Sequence, residues 1–346
     1  MSEEVLIGRE GAMGVITLNR PGALNALSHA MIDTIYRALT AWRNDDGVAA
    51  VLLEGNGARA FCAGGDVRAT RQAILDGRVE EGLSFYADEY RNNRLIATYP
   101  KPVVAFGHGF VMGGGIGLAG HASLRIAVEG AQYAMPESAI GLFCDVGVNA
   151  RLALVPAHRA LLFELCGLPV GPADAIALNL ADLMVPQAAV ADLRAALIAT
   201  ADAGVDTLKA EAEGFAREPG AAAFAIVADR LAPAMTARSA ATLVATLHAR
   251  ALPQDEALIG ALDRRCPTSL EAILQAYWLA YEDPHVAAVL DRDLRLARYL
   301  SVRDDFVEGV RAVLVDKDNR PAWSPSEAAA VDSAAITAAL AGGTKR

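Results

Sequence analysis

The first two hundred residues alternate between short apolar runs of strand character and longer stretches with helical period. Val5 to Ile7 and Gly14 to Leu18 flank a turn at Gly11 and predict a strand pair, followed by a loop from Asn19 to Leu27 that carries Pro21 and Gly22. Ser28 stands where it caps a helix whose Ile32, Ile35, Leu39 and Trp42 share one face. Further strands are predicted at 48–53, 103–106, 124–128, 132–134 and 183–185, separated by helical stretches near 67–76, 83–97, 151–166 and 172–179. Pro136 predicts a helix start at Glu137. Strands that alternate with helices imply an α/β layer architecture.

From about residue 206 the strand signals fade, and Ala-rich helical segments run through 250, 268–282, 285–300 and 304–313. The stretch Asp202-Ala203-Gly204-Val205-Asp206 reads as a boundary. It divides the chain into a core domain over 1–203 and a helical C-terminal region over 204–346, with Pro321 to Arg346 expected as a docked or partly frayed tail.

Composition narrows the function classes. The 346 residues are 53% hydrophobic but only 6% aromatic, so the core rests on Ala, Leu and Val in a globular chain. Lys+Arg 31 against Asp+Glu 41 gives a net charge of −10 with no basic block, which speaks against nucleic acid as a partner. No window reaches the roughly eighteen apolar residues of a membrane span, and Met1 to Val5 lacks a basic, apolar leader, so the expectation is a cytoplasmic protein with no membrane partner. Cys62, Cys144, Cys166 and Cys266 form no CxxC pair and the six His residues have no ligand spacing, so neither a disulfide framework nor a metal site is expected.

Candidate chemistry begins with the run His108-Gly109-Phe110-Val111-Met112-Gly113-Gly114-Gly115-Ile116-Gly117, which follows one apolar strand and opens a helix with free backbone N–H groups. A second small-residue turn, Phe61-Cys62-Ala63-Gly64-Gly65-Asp66, follows another strand. Two such turns converging would form a two-donor oxyanion hole. Neither run has the order of a dinucleotide fingerprint, and none ends in the Lys-Ser/Thr of a phosphate loop. Three carboxylates accompany the turns: Glu89 in a helical stretch, Glu137 after Pro136, and Asp145 in the loop Gly141-Leu142-Phe143-Cys144-Asp145-Val146-Gly147. Each also has an ordinary structural reading, as a solvated helix face, a helix start or a turn residue. Eight residues apart across a glycine turn, Glu137 and Asp145 can fold toward one cavity, where like charge separates an acid from a base or nucleophile.

With these motifs the chain resembles the crotonase (enoyl-CoA hydratase/isomerase) superfamily. The resemblance is carried by Leu18-Asn19-Arg20-Pro21, Leu24-Asn25-Ala26-Leu27, Ala60 to Asp66, the glycine run, and Ala134-Met135-Pro136-Glu137. Asp88-Glu89-Tyr90 with Asn92-Asn93, Ile140 to Phe143 with Asp145-Val146-Gly147, Pro267-Thr268-Ser269-Leu270 and Phe306 to Asp318 resemble a thioester-hydrolase branch of it. The resemblance implies a spiral of ββα units with a helical C-terminal region, and hydrolysis of a short 3-hydroxyacyl-CoA, 3-hydroxyisobutyryl-CoA foremost, in valine breakdown. It implies that the N–H groups of Gly65 and Gly114 bind the thioester oxygen, that Glu137 is the principal catalytic carboxylate, that Asp145 is its partner near the substrate hydroxyl, and that Glu89 contacts substrate. It implies CoA as part of the substrate with no separate cofactor, and relatives that often assemble as homo-oligomers. Two-glutamate hydratases of the superfamily carry a glutamate where this chain has Gly117, which disfavours an enoyl-CoA hydratase or isomerase; a non-catalytic crotonase-fold binding protein is disfavoured by the retained Glu137 and Asp145. Cys144, Val148 and Asn149 depart from the branch pattern and bear on acyl preference.

Overall fold

The computed structural model describes residues 3–343. Its strands are β1 (Val5–Glu10), β2 (Met13–Leu18), β3 (Ala50–Gly55), β4 (Ala60–Cys62), β5 (Val103–Gly107), β6 (Phe110–Met112), β7 (Leu124–Val128), β8 (Gln132–Ala134) and β9 (Leu183–Val185). β1 and β2 form an antiparallel hairpin, Val5 opposite Leu18, around Gly11 at φ +59°. The hairpin leads a six-stranded sheet of order β1-β2-β3-β5-β7-β9 that is parallel from β2 onward. β4, β6 and β8 form a second, three-stranded sheet. β6 lies inside what the residue pattern presents only as a glycine turn; three residues are too few for a period to show.

Two compact units emerge, each built from discontinuous stretches. The first comprises the residues up to Gly65, 88–133 and 170–223; the second comprises 66–87, 134–169 and the chain from Phe224 onward. The residue pattern suggested one break after 203, but pattern along a chain reports local period and not which distant segments pack together. In the first unit, alternate positions of the large sheet, among them Met13, Val15, Leu52, Val104, Phe106, Ile126 and Val185, point to one face. Leu193 and Leu197 of the helix Val190–Ala199, with Leu208 and Ala212 of Val205–Phe215, cover that face. The second of these helices therefore belongs to the sheet unit rather than to the C-terminal region.

The helices of the second unit pack on one another. Pro267–Glu282 is buried on nearly every side, whereas Val286–Ser301 is amphipathic with Val289, Leu290, Leu296 and Leu300 inward. The helical stretch expected over 151–166 is split by Pro156 into Asn149–Leu152 and Ala157–Cys166. The C-terminal tail docks. Asp332 caps the helix Ser333–Leu340, accepting from the Ala335 N–H at 3.0 Å, and Ile336, Ala339 and Leu340 are buried.

Candidate active site

In the first unit the two glycine turns meet backbone to backbone. β4 delivers the chain into Ala63-Gly64-Gly65, and the Leu27 N–H donates to the Gly64 carbonyl at 2.9 Å. β6 delivers it into Gly113 and the short helix Gly114–Gly120. Gly64 (φ +104°) and Gly113 (φ +48°) sit where side chains are strained. A Cβ at Gly64 would lie 3.5 Å from the Met112 oxygen and 3.8 Å from the Gly114 nitrogen, and one at Gly115 would overlap the Cys62 carbonyl and approach the Cys62 Cβ to 2.9 Å. Among the described residues, no hydrogen bond occupies the N–H of Gly65 or Gly114. Glu89, on the helix Val79–Ala97 and 3% exposed, turns its carboxylate onto Gly114, where an added Cβ would collide with Oε1. Gly65, Gly114 and Glu89 thus share one neighbourhood.

The second unit holds Glu137 and Asp145. Instead of an α-helix, Pro136 opens a 3-10 turn, Glu137–Ile140, closed by Gly141 in the left-handed region at φ +74°. The close approach of another segment explains both the turn and the glycines around it. A Cβ on Gly141 would stand 2.5 Å from the Asp305 carbonyl, and one on Gly309 would stand 2.6 Å from the Ile140 backbone. The Cys266 N–H donates to the Ser138 carbonyl at 3.0 Å, and Asp305 is held by the Ser324 N–H at 2.8 Å and the Thr268 hydroxyl at 3.4 Å. The C-terminal stretches near 267 and 306 therefore brace the turn that carries Glu137. Gly309→Ala is expected to destabilise the fold by about 1–3 kcal/mol through overpacking on that backbone, read as a lower urea midpoint at unchanged slope; an unchanged midpoint would show that the contact yields freely.

Glu137 and Asp145 are 8% and 6% exposed. Both bear on the buried Cys144 thiol, which burial pushes well above its ordinary range, with the charges of Glu164, Glu137 and Asp145 adding to the effect. The Cys62 thiol is likewise pushed up to about 12, mainly by burial. Both shifts disfavour the thiolate that a cysteine nucleophile needs. After Asp145 the chain passes through Val146 at φ +56° and Gly147 at φ +75°. A β-branched residue there carries strain of roughly 1–3 kcal/mol. The turn is held by the Val148 N–H on the Asp145 carbonyl at 3.1 Å and by the Gly147 N–H on Asp293 Oδ2 at 2.8 Å.

Asp293 and Glu164 are carboxylates that the motif reading did not reach, and they join Asn149, which that reading connected only with acyl preference. All three are buried: Glu164 is 0%, Asn149 1% and Asp293 2% exposed. Their signal in the sequence is a carboxylate on an apolar stripe, as Asp293 is between Val289, Leu290 and Leu296, or inside an apolar run, as Glu164 is in Leu161-Leu162-Phe163-Glu164-Leu165. Burial, then the nearby Asp293 charge, raises the Glu164 carboxyl well above its ordinary value of 4.5. The folded chain then keeps a proton that the unfolded chain releases, so this group's contribution to stability falls as pH rises above the ordinary glutamate range. Glu164→Gln removes that slope. The melting temperature of the variant minus that of the parent is expected to grow between about pH 5 and about pH 8; a constant difference would mean that Glu164 is ionised in the fold.

His29, His158 and His248 pair with the carboxylates of Asp88, Asp229 and Asp263. Among the described residues there is no group of three or more His, Cys, Asp or Glu side chains placed to hold a metal ion, and no helix is long and apolar enough to cross a membrane.

Comparison with known proteins gives this geometry its class. The chain belongs to the enoyl-CoA hydratase/isomerase family, whose model matches residues 13–340. Within that family it is 33% identical over 334 residues to a mitochondrial 3-hydroxyisobutyryl-CoA hydrolase of Gallus gallus, covering 93% of this chain and 85% of that protein. It is 34% identical over 334 residues to 3-hydroxyisobutyryl-CoA hydrolase 1 of Arabidopsis thaliana, covering 93% of this chain and 87% of that one. A carnitinyl-CoA dehydratase from Mycobacterium thermoresistibile and an enoyl-CoA hydratase from Rhodobacter sphaeroides 2.4.1 have the same fold, each with a TM-score of 0.90 and 36% identity over 98% of this chain. They are matched over 96% and 97% of their own lengths. The crotonase-type α/β fold expected from the motifs is therefore the fold of this protein.

Proposed function

We propose that this chain is an acyl-CoA thioester hydrolase that converts a short 3-hydroxyacyl-CoA, 3-hydroxyisobutyryl-CoA foremost, into the free hydroxy acid and CoA, in valine breakdown. The observation that carries the reading is the approach of the two glycine turns, with the N–H groups of Gly65 and Gly114 unengaged among the described residues. Attack on a thioester carbonyl moves negative charge onto its oxygen, and two rigid donors stabilise that charge without reorganising. Glu137 either attacks the thioester carbon itself, giving an anhydride that water then opens, or activates water for direct attack; by either route the C–S bond breaks, CoA leaves as the thiolate and takes up a proton, and one water is consumed as the free acid forms and the Glu137 carboxylate is restored. Asp145 addresses the substrate hydroxyl, and Glu89, beside Gly114, contacts the substrate. CoA enters as part of the substrate.

A second reading, hydration of an enoyl-CoA, is favoured by the names of the two solved structures of 36% identity. Gly117 weighs against it: it is buried inside the helix Gly114–Gly120 and brings no proton-transferring group. Free-thiol release from 3-hydroxyisobutyryl-CoA, measured beside loss of the conjugated absorbance of crotonyl-CoA and a protein-only control, separates the two. Thiol release without enoyl loss is the expected result. Enoyl loss without thiol release would replace the hydrolase reading by the hydratase.

A further inference from the structure

Behind the Asp145 loop lies a polar group for which the proposed chemistry has no use. Asp293 projects from the helix Val286–Ser301 on the same stripe as Val289, Leu290, Leu296 and Ala297, all buried. A carboxylate is a poor choice for that stripe on packing grounds alone, because burying it without partners costs more than any aliphatic residue of similar size. Its placement has a specific outcome. Oδ2 accepts the N–H of Gly147 at 2.8 Å, 146 residues away in sequence. Gly147 is the second of two consecutive left-handed residues, and Val146, the first, is strained there. The turn they make starts directly at Asp145.

Glu164, from the helix Ala157–Cys166, and Asn149, from the helix Asn149–Leu152, line the same interior. The Asn149 amide is near enough to Glu164 to favour its charged form, and the Glu164 carboxyl in turn acts on Tyr277, whose buried hydroxyl has no hydrogen-bond partner among the described residues. Three separate helices thus contribute buried polar side chains around the base of one strained turn. Apolar residues would fill that space at lower cost, so the arrangement is explained by what it holds.

We propose that Asp293 is a positioning residue for Asp145: by accepting the Gly147 N–H it holds the strained Val146-Gly147 turn and so fixes where the Asp145 carboxylate points. The proposal rests on the reading of Asp145 as the group that addresses the substrate hydroxyl. Burial pushes the Asp293 carboxyl up, the Gly147 hydrogen bond pulls it down, and the Asp145 charge pushes it up again, with a net rise well above its ordinary value. Asparagine, neutral and of the same shape, is therefore a fair replacement that keeps an acceptor oxygen.

The test compares turnover of 3-hydroxyisobutyryl-CoA with that of isobutyryl-CoA, which lacks the hydroxyl, in Asp293→Ala, Asp293→Leu, Asp293→Asn and Asp145→Asn. The leucine variant removes the acceptor while filling the stripe, so it keeps the fold if the alanine variant does not. Misplacement of Asp145 lowers the preference for the hydroxylated substrate, whereas a loss of folded enzyme lowers both rates in proportion. The expected result is a preference reduced about tenfold or more in Asp293→Ala and Asp293→Leu, near the parent value in Asp293→Asn, and reduced no further when Asp293→Leu is combined with Asp145→Asn. An unchanged preference in the leucine variant, or an asparagine variant as impaired as the leucine one, overturns the proposal. If Asp145→Asn itself leaves the preference unchanged, the assignment of Asp145 fails and the proposal falls with it, an outcome distinct from the failure of Asp293 alone.

Discussion

Glu137→Gln is expected to lower kcat by about three orders of magnitude with little change in KM or in melting temperature. Removing a general base typically costs between about a hundredfold and about ten-thousandfold, and removing a carboxylate nucleophile costs at least as much. The amide is isosteric, and the 3-10 turn that presents it is held by contacts independent of the side chain: the Cys266 N–H on Ser138, and the close approach of Gly141 and Gly309 to their neighbours across the turn. The loss therefore falls on chemistry rather than folding. Steady-state thiol release with a thermal melt on the same preparation checks it, and near-normal turnover would remove Glu137 from the mechanism. A single turnover of the parent enzyme in oxygen-18 water then tests for the nucleophilic route. Label in the Glu137 carboxylate after turnover means an acyl-enzyme anhydride opened at the Glu137 carbonyl, whereas label in the product alone is shared by direct attack of water and by an anhydride opened at the substrate carbonyl.

Gly115→Ala is expected to reduce kcat by about a hundredfold to a thousandfold, the range seen when one oxyanion donor is lost. Its Cβ meets the Cys62 carbonyl and comes within 2.9 Å of the Cys62 Cβ, at the end of β4 and just before the second turn. Backbone cannot step aside as a flexible side chain does, so the two turns must separate and the donors of Gly65 and Gly114 move with them. Gly120→Ala is the control: an added Cβ there finds only Ile116 Cγ2 at 3.6 Å, in the same helix. A Gly115 variant as active as the Gly120 variant would mean that the approach of the turns does not set the reaction rate.

Much of the candidate site was legible in the residues because its parts are backbone devices. A donor turn needs glycine where φ is positive or where backbone approaches backbone, so Gly64, Gly65 and Gly113 to Gly115 announce themselves. Glu137 was legible by its place after Pro136, although Pro136 opened a 3-10 turn rather than an α-helix. That outcome depends on Asp305 and Gly309 packing against residues more than 160 positions earlier in the chain, which no local pattern reports. Asp293 was visible only as an anomaly, a charge on an apolar stripe, and its partner at Gly147 came from another part of the chain.

By itself the sequence determined the alternation of strands and helices, the positions of the two glycine turns, the resemblance to one superfamily and the carboxylates worth testing, because each is written in a local period, a backbone requirement or a short motif. Only the tertiary structure decided that the two turns meet, that Glu89 lies over Gly114, that the C-terminal helices brace the Glu137 turn, and that Asp293 holds the strained turn after Asp145. Those are pairings between residues tens to hundreds of positions apart. They follow from which surfaces bury one another and which buried N–H groups find acceptors, and that choice is made by the whole chain at once.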